Sequence, residues 1–137
     1  MLPEAPAALE GLSVDALCAR LHLTAHEDGS FRHAGPPLLV LLPAAVFLPW
    51  QRSSEASHLH HLAGAPLALS LSPDGHHAEA RHMQKDRIDN IAAECWHTAE
   101  TLGHWSLIAL ERADEARLEL AAHDWFPTPM TAPQGHA

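Results

Sequence analysis

A chain of 137 residues is about one domain's worth. With 47% hydrophobic and 18% charged residues it can bury a real core, which excludes disordered, collagen-like and disulfide-dense classes. Eight Lys+Arg stand against 17 Asp+Glu, a net charge of −9, and this argues against nucleic acid as a partner, because phosphate binding rests on clustered Lys and Arg. The 13 histidines outnumber that deficit, so charge and solubility should change steeply between neutral and mildly acidic pH.

Cys18 and Cys95 lie in unlike contexts and cannot make a disulfide framework or a Cys-based zinc site, so a reducing cytoplasm is the plain expectation. The opening Met1-Leu2-Pro3-Glu4-Ala5-Pro6 lacks the basic and apolar regions of a signal peptide. The longest apolar run, Pro36 to Trp50, is interrupted by Pro43 and Pro49 and is too short to span a bilayer. It reads as two buried strands meeting at a turn, and no membrane association is expected.

In chain order, Ser13–Leu23 predicts a short N-terminal helix, with Ser13 as cap and Leu17, Cys18 and Leu21 at helical spacing. The polar turn His26–Ser30 follows. Short strands are then predicted at Ser30–His33, Pro37–Leu42, Ala45–Arg52, Ser57–Ala63, Pro66–Leu71, His76–His82, Arg87–Ala92, Cys95–Thr101 and Trp105–Arg112. Gly35-Pro36-Pro37, Gly64-Ala65-Pro66, Ser72–Gly75 and Leu102-Gly103-His104 supply the breaks between them. Many short strands at regular spacing predict an all-β sandwich or barrel. The Ala-rich stretch Ala113–His123 is ambiguous between helix and strand. Residues 1–125 read as one domain, and 126–137, with Pro127, Pro129 and Pro133, as a loose Pro-rich tail.

Four segments in register resemble a poorly characterised cupin family. Leu21–Phe31 (LHLTAHEDGSF) resembles its "LxLxPHPEGGYF" opening. Gln51–Leu67 (QRSSEASHLHHLAGAPL) aligns without gaps on "HRxxSDExWHFHxGxPL". Ile91–Ala99 (IAAECWHTA) resembles "VPAGxWQxA", and Gly103–Ile108 (GHWSLI) resembles "GxWxLxG". The resemblance covers roughly Ser13 to Leu120. It implies a double-stranded β-helix, or jelly-roll, barrel, usually paired as a homodimer, with a small-molecule pocket at the barrel's mouth. In the wider cupin pattern two histidines, a glutamate and a further histidine hold a divalent metal.

Position by position, that ligand set is degenerate here. Gln51 stands at the first histidine, Ser53 at the second and Ser57 at the glutamate, while His97 falls on the fourth ligand's place. An amide and two hydroxyls cannot replace imidazoles and a carboxylate for a transition metal, so neither a metal nor another cofactor is expected. On a strand, alternate side chains share a face. If Ser57 points into the barrel, Leu59 and His61 do as well, which would let His61 approach His97 and Gln51. The expected ligand-binding residues are therefore Gln51, Ser53, Ser57, Leu59, His61, Trp96 and His97, with Trp96 as a stacking wall.

Other chemistry is sparse. His76, His77, Arg81 and His82 read as an exposed hairpin cluster with no carboxylate placed by spacing. Cys95 and His97 share a strand face, yet a free Cys is usually a small buried hydrophobe. No nucleophile elbow or phosphate-binding Gly loop occurs. Three functions stay open. The leading one is a metal-independent binder or sensor of a small molecule. The second is a sugar or carbonyl isomerase or epimerase using His61 or His97 as acid or base, which requires a charged partner for that histidine. The third is a structural module whose cavity is filled by side chains such as Leu59 and Leu62.

Overall fold

The computed structural model describes residues 6–35, 37–46, 48–113, 116–121 and 127–129. A single 3-10 turn, Pro6–Leu9, precedes helix α1, Val14–Leu21. Ser13 caps α1 by accepting from the Ala16 N–H, and His22 closes it in the left-handed conformation.

The strands are β1 Thr24–Ala25, β2 Phe31–His33, β3 Leu38–Pro43, β4 Gln51–Ser53, β5 Ser57–Gly64, β6 Leu67–Ser72, β7 His77–Met83, β8 Ile88–Ile91, β9 Trp96–Thr101, β10 Trp105–Arg112, β11 Leu118–Leu120 and β12 Thr128–Pro129. They form two six-stranded sheets. The first runs β1-β2-β3-β10-β5-β8 and the second β11-β4-β9-β6-β7-β12. All pairings are antiparallel except that of β12 with β7.

Two apolar clusters sit on opposite faces of the first sheet. Between the sheets, Val40, Leu42, Leu59, Ile108 and Leu110 of the first meet Leu67, Leu69, Leu71 and Ala99 of the second. On the outer face, Leu39, Leu41, Leu107 and Ala109 pack beneath Leu9, Leu17 and Leu21. Trp105 ties the helical segment down by donating its indole N–H to the Leu12 carbonyl at 2.9 Å. Each fully buried Leu or Ile contributes about 1.5–3 kcal/mol, so both clusters matter to stability.

The structure differs from the sequence reading at one expected strand and adds detail in two other segments. Ala45–Arg52 is not one strand. The chain turns at Ala45, whose φ is +65°, and only Gln51–Ser53 pairs in the second sheet. A strand could not continue, because these residues carry the chain from the first sheet to the second and Pro49 has no N–H for a ladder. Within the Ala-rich stretch, residues 118–120 form edge strand β11 against β4, not helix. In the tail, Thr128 and Pro129 pair with His77 and Ala78, and the rest of it lies outside the described residues.

Strand β5 contains a bulge. Its register against β10 slips between Leu107 and Ile108, leaving Leu62 as the extra residue. Before the bulge Ser57, Leu59 and His61 face the barrel interior. After it, Ala63 faces the helix.

Candidate functional site

The two sheets leave a cleft where their free edges approach. From the first sheet come Ala25 and the turn His26-Glu27-Asp28, with Arg32 of β2. From the second come Gln51, Leu118 and Leu120, with Pro49 beside them, and the cleft encloses about 480 Å³. Within the turn, the Asp28 carboxylate accepts from the Ser30 N–H at 2.9 Å and from the Ser30 hydroxyl at 2.6 Å, and it pairs with the Arg32 guanidinium. Burial alone would raise the Asp28 pKa, but these bonds and the Arg32 charge hold it below the usual carboxylate range.

Behind the cleft the barrel interior turns polar. Gln51 lies opposite His97 in the β4–β9 register, so the two side chains share the inner surface. Ser57 lies opposite Arg112 between β5 and β10. Gln51, Ser53, Ser57 and His97 are all at most 4% exposed. Thus the four positions expected from the ligand pattern all fall on strands β4, β5 and β9 as buried polar residues. The Ser53 hydroxyl accepts from the Glu55 N–H at 3.2 Å.

His97 is oriented by its backbone. Its Nδ1 lies 3.0 Å from the Cys95 carbonyl oxygen. A carbonyl only accepts, so Nδ1 carries the proton and Nε2 presents a lone pair when the ring is neutral. Burial, opposed by the Cys95 hydrogen bond and reinforced by the Arg112 charge, lowers the His97 pKa. Nε2 is buried and unpartnered among the described residues, as are the Ser57 hydroxyl and His61 Nδ1. Such atoms are uncommon in native proteins and mark places where something polar belongs.

His61 is also buried and points inward, but it occupies the other end of the barrel. Its Nε2 donates to the Ala65 carbonyl at 2.6 Å, and the Ser106 hydroxyl shares that carbonyl at 2.7 Å. Ser106 in turn bonds Thr101, four residues beyond His97 on β9. Four residues of strand span roughly 13 Å. The structure therefore does not bring His61 to His97, and the second imidazole expected beside Gln51 is absent there.

Two further expected residues lie elsewhere. Leu59 is 1% exposed within the apolar core, not at the cleft. Trp96 alternates with His97 and so faces outward, where the Arg52 guanidinium stacks over its ring 4.8 Å from the centroid. It is no wall of the interior. The parity rule that placed Leu59 and His61 inward, applied to β9, assigns Trp96 and His97 to opposite faces.

Sequence reasoning missed Arg112 and Arg32. Arg112 ends β10 on the same face as Ile108 and Leu110, which pack in the interior. Its signal was an arginine at inward parity closing an apolar strand. It is half-buried, and burial together with the Arg32 charge lowers its pKa.

The inherited positions offer one imidazole, an amide and two hydroxyls, which do not fit a transition ion. Among the described residues no three His, Cys, Asp or Glu side chains converge to hold one. The exposed hairpin is different from its expected form, since Asp74 accepts from the His76 and His77 N–H groups and lies 3.1 Å from His77 Nδ1. Cys95 is buried, its pKa raised mainly by burial, and is therefore not an activated thiol.

A larger groove of about 550 Å³ lies outside the barrel, lined by Glu10–Val14, Gly64, Ala65, His104 and Trp105. Neither its lining nor that of the cleft carries a buried unpartnered atom among the described residues, but the cleft shares Gln51 with the polar end of the barrel, where Gln51 lies across the ladder from His97. Among the described residues no helix is long and apolar enough to cross a membrane.

No protein-family model matches the chain, and no curated protein matches it. Solved structures do. A protein from Shewanella oneidensis superposes with a TM-score of 0.67 at 17% identity, covering 81% of this chain and 85% of its own. A protein described as a sugar phosphate isomerase from Acidithiobacillus ferrooxidans gives 0.56 at 10% identity, covering 80% and 79%. Oxalate decarboxylase from Bacillus subtilis gives 0.57 at 8% identity over 71% of this chain but only 29% of its own. At these identities the likeness speaks for architecture, and together with the two facing antiparallel sheets it identifies the fold as a cupin-like β-barrel.

Proposed function

We propose that this protein binds a small molecule at the Gln51–His97 end of its barrel and does so without a transition metal. The observation that carries this reading is the pair of buried, unpartnered polar atoms there, Ser57 Oγ and His97 Nε2. Leaving such an atom unsatisfied costs about 1–3 kcal/mol, a cost that a bound polar group would remove. The neighbouring cleft of about 480 Å³ shares Gln51 with this end of the barrel, and Ser57 and His97 lie behind its lining.

Binding is favoured over acid–base catalysis by the partners of the two histidines. Both His97 and His61 donate to backbone carbonyls, and among the described residues neither has the carboxylate that would tune an imidazole for proton transfer. The same reading places the chain near the cupin family whose motifs it resembles, as a relative whose metal ligands have become an amide and two hydroxyls.

A ligand-observed NMR screen of small polar compounds tests the proposal, comparing the wild type with Ser57→Val and His97→Phe. Hits lost in both variants are expected. Hits that persist unchanged in both would place binding elsewhere and overturn it. Near-equimolar metal in untagged protein that is lost on His97→Ala would overturn the metal-free part.

A further inference from the structure

We infer that the molecule bound here is a small hydroxy carboxylate with an apolar substituent. Its carboxylate lies on Arg112 and Ser57, its hydroxyl on His97, and its apolar group against Leu118 and Leu120. The inference rests on the reading of this end of the barrel as a small-molecule site and adds the chemistry of the ligand.

Arg112 and Arg32 differ in one decisive way. Arg32 is matched by Asp28 and further held by the Ser30 hydroxyl at 3.0 Å. Arg112 faces the interior, half-buried, and no carboxylate among the described residues pairs with it. A partly desolvated cation without a counter-charge is costly, and a guanidinium's planar fork matches a carboxylate in particular. Ser57 stands directly across the ladder, at a separation of about 5 Å between Cβ atoms. Its hydroxyl is unpartnered, so it can donate to the same anion.

His97 sets the second requirement. With Nδ1–H committed to Cys95 and the ring kept neutral by burial, Nε2 can only accept. A plain carboxylate has no proton to give it. A hydroxyl close to the carboxylate does, and it is neutral, so it makes no demand for a second cation. The third requirement comes from β11. Leu118 and Leu120 are 46% and 58% exposed and line the cleft, where an apolar group would cover them.

The test uses three matched probes on the full chain: mandelate, phenylacetate, which lacks the hydroxyl, and 1-phenyl-1,2-ethanediol, which lacks the carboxylate. Amide chemical shifts report the site, and titrations report affinity. Mandelate should shift Ser57, His97 and Leu118 and bind at least about tenfold more tightly than either control, the worth of one charge-assisted hydrogen bond. Arg112→Gln should remove that advantage over the diol. Arg112→Lys, which keeps a charge without the fork, should retain part of it and serves if the Gln variant does not fold. Equal affinity for mandelate and the diol, unchanged in the Arg112 variants, would overturn the anion inference while leaving the small-molecule reading in place. No shift at these residues with any probe would also overturn it. The library comparison of wild type with His97→Phe decides the broader reading separately.

Discussion

Gln51 and His97 face each other across the β4–β9 ladder on the inner surface of the barrel, an amide beside an imidazole that has a lone pair to offer. The pair is buried on both sides, Gln51 to 4% and His97 to 1% exposure. Its polarity is therefore felt in the stability of the fold as well as in any ligand it receives.

His97 sets a pH dependence. Burial is the main reason its ring holds a proton less readily in the folded chain. Below about pH 6.5 the unfolded chain binds that proton and the folded one resists it. The contribution is thus complete above about pH 6.5 and is lost as pH falls through the folded-state value, with a slope of at most about 1.4 kcal/mol per pH unit. Melting temperature should decline between about pH 7 and about pH 5, and less steeply in His97→Gln. Identical slopes would show that His97 is not buried in the neutral form. Asp28 acts lower on the scale, its share being lost only below about pH 4.

Two glycines separate strain from collision. At Gly64, φ is +91° and an added Cβ would sit 2.4 Å from the Trp105 ring and 2.5 Å from its carbonyl oxygen. Gly64→Ala should cost about 2–4 kcal/mol. Gly11, at φ +83°, has nothing within 4 Å of the added atom, so Gly11→Ala should cost only about 1 kcal/mol of backbone strain. Urea midpoints of the two variants should differ accordingly, and equal losses would refute the collision.

Leu59→Ala removes a core side chain and should destabilise the protein by about 2–5 kcal/mol, while leaving the cleft lining intact. Leu118→Ala, at an exposed edge, should change stability by no more than about 0.5 kcal/mol. If Leu59→Ala proved harmless to stability but abolished binding, its placement in the core would be wrong.

Ser13→Ala should cost about 1 kcal/mol through loss of the α1 cap, and Ser13→Asp should restore most of it. A loss that Asp fails to recover would mean that the capping bond contributes little to the hold of α1 on the barrel.

Much of this architecture was legible in the sequence because β-strands obey a simple parity. With Ser57 taken as inward from the cupin resemblance, that rule added Leu59 and His61, while Gly and Pro marked the turns at Gly64 and Ser72–Gly75. Parity gives the face of a residue but not its depth along the barrel. His61 and His97 both point inward, yet only the pairing of Gln51 with His97 and the Ala65 contact of His61 reveal that they occupy opposite ends. The apolar run from Ala45 read as a strand because hydrophobicity alone does not say where a chain changes sheets. Strand β11 escaped because its Ala- and Glu-rich surroundings carry no strand propensity. It is held by backbone pairing with β4 and, at its end, by the Ala121 N–H donating to the Trp50 carbonyl at 2.8 Å.

Among the described residues the helical segment packs on the first sheet, and this sets a slow half of the molecule apart from a fast edge. Strands β3, β5 and β10 are packed on both faces, so their amides should exchange hydrogen only when the whole domain opens. In the second sheet, β11 is a three-residue edge with all three side chains exposed. Its amides should exchange by local opening, long before those of β10. Because Leu118 and Leu120 form one wall of the cleft, the proposed ligand site would have one wall that opens locally and another, carrying Arg112 and Ser57, that stays in register until the domain unfolds.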